Sequence, residues 1–310
     1  MKPFALQSDL DLSIVIVSYN VRDFLKDCLE SIYQKITDIT FEVFVVDNHS
    51  SDNTKKMVKQ DFPQVILIEN KENMGFARAN NIAFHQSRGR YILMLNPDTK
   101  ILGGNFQGFL NNFKHKLDVG AIGCKMLNTD ETLQPSCYNF SSLREIFGLY
   151  FLGSRWFSGL KKMDYDICQD VDFARGAFLA LNRKCLEQIG FLDEEFFMFG
   201  EETDLCYRMK KTDWRTLYDP NIVIIHHKGK SAEKVPSHMM LQRVKSLIYF
   251  FSKHYGPFRV FFLRFIITIG VGLRFILRPF LEKRQKRLGK KMTSVKEQKD
   301  ILKLVVGIKL

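Results

Sequence analysis

Apolar positions in this chain change period repeatedly, and the changes mark its elements. Residues 12–18 read LSIVIVS, a β-branched run with no alternation, whereas 22–34 place Phe24, Leu25, Cys28, Leu29 and Ile32 at helical spacing. A second strand is predicted at 42–46 (EVFVV), ending at Asp47, and a helix over 52–60 with Asp52 as its cap. A third strand at 65–68, a helix over 76–86 and a fourth strand at 91–95 continue the alternation. Apolar runs without period two fit strands covered on both faces. Strands alternating with helices predict an α/β fold, a mostly parallel doubly wound sheet with flanking helices. A strand follows at 119–127, then weaker periodicity over 128–172, read as mixed loop and helix over the sheet. Residues 175–211 read as strand, helix, loop and helix, and WRTLYDP and NIVIIHHKGKS as two further strands reaching Ser231.

The last quarter has another character. An amphipathic helix is predicted over 241–255, and 258–281 is rich in Phe, Ile and Leu yet carries Arg259, Arg264, Arg274 and Arg278. A bilayer-spanning helix needs about 20 mostly uncharged residues, and the longest stretch there without arginine is 265–273. The preferred expectation is a helix lying in a membrane interface with its basic residues toward the headgroups; a span and a packed soluble helix are the other two readings.

Charge sharpens this division. The formal net charge of +12 is concentrated in residues 226–310, which hold 20 Lys and Arg against 4 Asp and Glu, while the remainder is slightly acidic. A catalytic domain over 1–235 and a basic, helical, membrane-associating segment over 236–310 are therefore expected. An anionic membrane surface is the expected partner of that segment. Nucleic acid is not, because its basic residues would have to interleave with aromatics on the folded domain. Six cysteines (Cys28, Cys124, Cys137, Cys168, Cys185 and Cys206) form no CxxC pair and no zinc spacing. With no secretory leader in view, they point to a reducing, cytoplasmic setting, at the inner face of the membrane.

In parallel α/β sheets ligands bind at the carboxyl ends of the strands. Candidate chemistry stands at four such ends: Ser18-Tyr19-Asn20, Asp47-Asn48 with Ser50 to Asp52, Asn96-Pro97-Asp98, and His226-His227; Gly200–Asp204 (GEETD) opens a helix. Each has an ordinary reading beside the functional one. Asx residues favour turns, acids are favoured at a helix N-terminus, and His226 by itself is a strand-end histidine. The chain has neither GxxxxGK[ST] nor a GxGxxG after its first strand, so P-loop and dinucleotide readings lose their support. A nucleoside diphosphate without a glycine-rich cradle needs a carboxylate-held cation, with Asp98 and His226 as the nominated ligands.

The ordered set SIVIVSYN, VVDNHSSDNT, NMGFARANN, LMLNPD, GAFLALNRKCLEQIGFLDEEFFMFGEETDLCYR and HHKGKS resembles family 2 glycosyltransferases of GT-A fold, in particular the rhamnosyltransferase-like branch that builds bacterial surface polysaccharides. The likeness covers roughly residues 12–231. It implies that Tyr19 and Asn20 border the nucleotide and that Asp47 binds the base or ribose, with Asn48 and Ser50 nearby. Asn73, Gly75, Arg78 and Asn80 would shape the donor pocket. Asn96-Pro97-Asp98 would match the DxD-type motif, with Asp98 on Mg2+ or Mn2+ and Asn96 facing the ribose or a metal water. Gly176 and Ala177 would line the sugar and acceptor. Glu201 and Glu202 occupy the family's acidic "ED" site; register favours Glu202 as base, with Glu201 or Asp204 orienting the acceptor. His226, in His-x-x-Gly-x-Ser with Gly229 and Ser231, would be a further metal or diphosphate contact. Two departures stand out: Asn96 replaces the first acid of the motif, and Trp214-Arg215 lacks the preceding Gln of processive synthases. The implied activity is non-processive, inverting transfer of one sugar from a nucleotide sugar, dTDP-rhamnose or a UDP-sugar, to a lipid-linked or glycan acceptor. The competing readings are a GT-A-like nucleotidyltransferase and a basic binding protein without catalysis.

Overall fold

The structure is a computed structural model that describes residues 10–152, 163–227, 236–278 and 294–307. These fall into two compact units. The first is built on one sheet of β1 (Leu12–Ser18), β2 (Phe41–Asp47), β3 (Ile66–Glu69), β4 (Tyr91–Leu95), β5 (Thr99–Gly104), β6 (Val119–Leu127), β11 (Phe178–Asn182) and β12 (Arg215–His226) in the order β3-β2-β1-β4-β11-β6-β12-β5. Short strands β7 (Leu133–Gln134) and β9 (Gln169–Val171) extend it, and β8 (Cys137–Tyr138) pairs with β10 (Phe173–Ala174).

The strands β3, β2, β1 and β4 are mutually parallel. Strand β11 enters antiparallel to both β4 and β6, and β12 returns parallel to β6. The carboxyl ends of β1, β2, β4 and β12 therefore share one edge, the edge where β11 begins.

Alternation of buried side chains explains the layers. Leu12, Ile14 and Ile16 of β1 pack with Leu25, Leu29 and Ile32 of α1 (Arg22–Lys35), while Val15 and Val17 join the opposite core with Ala79, Ala83 and Phe84 of α3 (Phe76–Gln86). Helices α2 (Thr54–Asp61) and α4 (Phe106–His115) supply Val58 and Phe109 to the first core; α6 (Arg183–Ile189) and α7 (Glu201–Lys210) supply Leu186 and Leu205 to the second. Both faces of the sheet are covered, as the runs without alternation require.

Two sequence expectations are corrected, and one element is added. Most of WRTLYDP and the NIVIIH of the second stretch form one strand, β12 (Arg215–His226), whose register shifts between Asp219 and Val223; residues 228–231 lie outside the described residues. Pro220 cannot donate to a ladder, so the strand bulges there instead of ending. Asp52 is not the cap of α2: Asn53 holds that position at φ +63, and Asp52 accepts from the Thr54 and Arg22 backbone N–H groups. Residues 99–104, unassigned from the sequence, form β5 against β12.

The second unit gathers Phe140–Leu160, Met198–Gly200 and Val235–Leu310. It contains α5 (Leu143–Phe147), α8 (Pro236–His254), α9 (Gly256–Ile276) and α10 (Val295–Val306). Gly256 at φ +79 and Pro257 in the first turn of α9 separate that helix from α8. Within this unit Leu263, Ile267, Gly270 and Val271 form the buried face of α9. A Cβ at Gly270 would stand 2.5 Å from Tyr150, so only glycine admits that ring.

Candidate active site

The shared sheet edge collects the acids and the histidine. The Asn96-Pro97-Asp98 segment leaves β4 and is pinned at both ends by backbone bonds. The Asn96 N–H donates to the Ala177 carbonyl at 3.0 Å, and the His227 N–H donates to the Asp98 carbonyl at 2.9 Å. Proline fixes the residue between them. Pairing of His226 with Thr99 then sets the imidazole beside Asp98. Both side chains are buried, with His226 Nε2 3.4 Å from Asp98 Oδ1.

Gln134 orients that imidazole. Its Nε2 donates to the His226 carbonyl at 3.1 Å and to Asn128 Oδ1 at 2.9 Å, which turns its Oε1 toward His226 Nδ1 at 2.7 Å. With the amide so assigned, Nδ1 carries a proton and Nε2 is the ring nitrogen that faces the Asp98 carboxylate. A proton or a cation can bridge these two atoms. A buried oxygen–nitrogen pair with an oriented imidazole suits a divalent cation that completes its shell from phosphate and water. Among the described residues no cluster of three or more His, Cys, Asp and Glu side chains fits a metal ion.

At the ends of β1 and β2 the side chains divide into structural and open groups. Asn48 is fully used: its amide donates to Asn73 Oδ1 and the Gly75 carbonyl and accepts from Asn70 and the Met74 N–H. Asn73 also accepts from the Gly75 N–H. Ser50 accepts from the Asn20 N–H, and Asn20 Oδ1 accepts from the Ser51 N–H. These bonds fix the loops as a frame. Asp47 differs: Oδ1 accepts from the Ser50 N–H at 2.9 Å, while Oδ2 is buried with no hydrogen-bond partner. Tyr19 stands exposed beside this frame. Gly75, at φ +83, lies so close to the loop before α7 that a Cβ would meet the Phe197 carbonyl at 2.6 Å.

Helix α7 presents the acid pair. Glu201 is buried and its Oε2 has no partner. Burial first, and then the neighbouring Glu202 carboxylate, push the Glu201 carboxyl well above the ordinary range. Glu202 lies against Gly176, where a Cβ would come within 3.6 Å of the Glu202 Cβ and 2.8 Å of the Met94 methyl. The absent side chain at Gly176 thus leaves room beside the acid pair.

Other expected site residues are engaged elsewhere. Asp204 is fully buried and accepts from Arg208 Nε at 2.8 Å, while the rest of that guanidinium binds the carbonyls of Ile189, Gly190 and Phe191. Arg78 lies 3.7 Å from Glu194 on the protein surface. Asn80 donates to the Phe76 carbonyl and leaves its buried Oδ1 without a partner. Gly229 and Ser231 lie outside the described residues. Gln134 was missed from sequence; it stands in the stretch of weak periodicity, where no local signal shows that it meets the end of β12.

Residues 13–190 match the family described as Glycosyl transferase family 2. The chain belongs to that family and is a glycosyltransferase. Among its relatives is the N-acetylglucosaminyl-diphospho-decaprenol L-rhamnosyltransferase of Mycobacterium tuberculosis, 25% identical over 89% of this chain and 96% of that protein. The rhamnosyltransferase WbbL of Escherichia coli K12 is 25% identical over 69% of this chain and 82% of that protein. In fold the chain is similar to the mannosyltransferase PcManGT of Pyrobaculum calidifontis, solved in complex with GDP-Man and Mn2+. That match has a TM-score of 0.55 at 16% identity and covers 98% of this chain and 90% of that one. The likeness shows the GT-A fold with its sheet and flanking helices.

Proposed function

We propose that the protein moves a single sugar, with inversion, from a nucleoside-diphosphate sugar to a hydroxyl of a lipid-linked or glycan acceptor in cell-surface polysaccharide synthesis. The observation that carries this reading is the pair Asp98 Oδ1 and His226 Nε2, a buried carboxylate oxygen and imidazole nitrogen held 3.4 Å apart with the histidine's other nitrogen committed to Gln134. These two groups would hold Mg2+ or Mn2+, which when bound supplies neutralisation of the charge that grows on the departing diphosphate.

The chain's own groups support the remaining steps. The unpaired Oδ2 of Asp47 is an acceptor for an N–H of the base or a ribose hydroxyl, because a buried carboxylate oxygen left unmatched costs about 1–3 kcal/mol or more. Asn20, Asn48, Ser50, Asn73 and Gly75 keep that pocket in shape, and Asn96 would face the ribose or a water on the metal. Glu202, beside the space at Gly176, takes the proton of the acceptor hydroxyl as its oxygen attacks the anomeric carbon opposite the leaving diphosphate, a role worth about 10²- to 10⁴-fold. Glu201, whose carboxyl burial and then the Glu202 carboxylate push well above its ordinary range, orients the acceptor. The rhamnosyltransferase names of two relatives favour dTDP-rhamnose as donor over a UDP-sugar, and the diphospho-decaprenol in the first name favours a lipid-linked acceptor.

Incubation with a panel of nucleotide sugars, followed by chromatography of the released nucleotide, tests the reading. Release of a nucleoside diphosphate from one donor, accelerated by a lipid-linked acceptor, is expected. Pyrophosphate release from a nucleoside triphosphate and a sugar phosphate would instead identify a nucleotidyltransferase.

A further inference from the structure

Helix α9 has two apolar faces, and among the described residues only one of them is buried within the second unit. Leu263, Ile267, Gly270 and Val271 make the inner face. At three- and four-residue spacing on the opposite side stand Phe258, Phe261, Phe262, Phe265, Ile269, Leu273 and Ile276, of which Phe258 and Ile276 are each 73% exposed, Phe261 63% and Phe265 56%. This outer stripe runs about 27 Å at 1.5 Å per residue. It is interrupted by no charged residue, and α9 contains no Asp or Glu.

Three of the four arginines in the run 258–281 are used internally. Arg264 Nη1 donates to the Val305 carbonyl of α10 at 2.6 Å. Arg274 lies over the Tyr150 ring and donates to the Leu149 carbonyl at 3.0 Å. Arg278 reaches Gln298 Oε1 at 3.4 Å. For Arg264, Arg274 and Arg278 the expected orientation toward headgroups is corrected: they donate within the unit, whereas Arg259 is exposed at the flank of an outer face of phenylalanine, isoleucine and leucine.

We propose that this outer stripe of α9 is a lipid-inserting surface, on which the helix lies in the outer part of an anionic leaflet. No helix among the described residues is long and apolar enough to cross a membrane, which leaves lying on the surface as the available mode. The choice of occupant follows from charge. Residues 226–310 carry a net charge of +16, so two copies meeting through this stripe would bring like charges together, whereas an anionic leaflet offers both an apolar interior and compensating headgroups. Apolar insertion supplies the part of the affinity that salt cannot screen. The proposal rests on α9 alone and complements the lipid-linked acceptor reading; vesicle binding requires no substrate, so either can fail without the other.

Flotation of the full-length protein with phosphatidylcholine vesicles, with and without phosphatidylglycerol, tests it. The wild type is expected to float with both, more strongly with the anionic set, and to remain bound at about 1 M salt, where the Debye length falls to about 3 Å. The double variant Phe261→Ser/Phe265→Ser removes two exposed rings while leaving the buried face intact, and a loss of at least about tenfold in vesicle affinity is expected. Arg259→Gln, at the flank of the stripe, should float almost as the wild type does. Equal flotation of the double variant and the wild type would overturn the proposal. So would complete release of the wild type by salt, or a wild type that ignores vesicles and elutes as a dimer which the double variant dissociates.

Discussion

Replacing Gln134 by leucine would separate the orientation of His226 from its presence. The side chain makes three bonds: one from His226 Nδ1, one to the His226 carbonyl and one to Asn128. Leucine removes all three and leaves a buried imidazole N–H and a carbonyl to find other partners, at a cost of about 2–3 kcal/mol in stability. That corresponds to a Tm lower by about 4–12 °C. The functional effect is distinct. With Nδ1 released, the ring loses its fixed tautomer, and loss of an outer partner of this kind typically weakens metal affinity or activity by about 10- to 100-fold. Calorimetric titration with dTDP and UDP, each in the presence of Mn2+ and again with EDTA, reads this directly. The variant should bind nucleotide normally in EDTA and lose most of the gain that Mn2+ gives the wild type. A lowered Tm with the full Mn2+-dependent gain preserved would refute the reasoning, because it would make Gln134 a packing residue only. Gln134→Asn, which keeps the amide on a shorter arm, should show the same split with a smaller loss of Tm.

Other outcomes follow from the same geometry. Glu202→Gln should lower transfer by about 10²- to 10⁴-fold while calorimetry shows unchanged nucleotide binding; turnover at the wild-type rate would remove the base assignment. Glu201 titrates above its ordinary value of 4.5 in the folded protein, so the folded state keeps a proton that the unfolded chain releases. Stability from this site is full below the unfolded value and is lost as pH rises through the folded one. Thermal melts between about pH 5 and pH 9 should therefore fall more steeply for the wild type than for Glu201→Gln, and parallel curves would contradict the buried, protonated assignment. Gly75→Ala places a Cβ against the Phe197 carbonyl at an unfavourable φ, and a loss of about 1–3 kcal/mol in denaturant melts, together with weaker donor binding, is expected.

Much of the fold was legible because burial on both faces writes itself into sequence. The runs LSIVIVS and EVFVVD have no polar face to show, and they became β1 and β2 with almost every side chain buried. The four strand ends that share an edge were legible for the same reason, since a parallel sheet dictates where its carboxyl ends lie. The bulge in β12 was not, because Pro220 and Asn221 read locally as a turn and only pairing with β6 and β5 carries the strand across them. Gln134 was invisible because its partner is 92 residues away and no periodicity frames it. The inward use of Arg264 and Arg274 was equally hidden: a helical wheel shows an arginine's angle but not the carbonyls of Val305 and Leu149 that receive it. Helix α10 was legible in principle, since Ser294 and Glu297 form a capping box ahead of an apolar run.

Metal dependence of sugar transfer tests the central claim most directly. With the donor that the panel selects, wild-type turnover should be abolished by EDTA and restored by Mn2+ or Mg2+. Asp98→Ala should lose at least about 10²-fold in turnover at any Mn2+ concentration while its Tm stays close to the wild type's. Undiminished turnover in EDTA, or an Asp98→Ala variant that turns over as the wild type does, would contradict the account of Asp98 and His226 as the pair that holds a cation against the diphosphate.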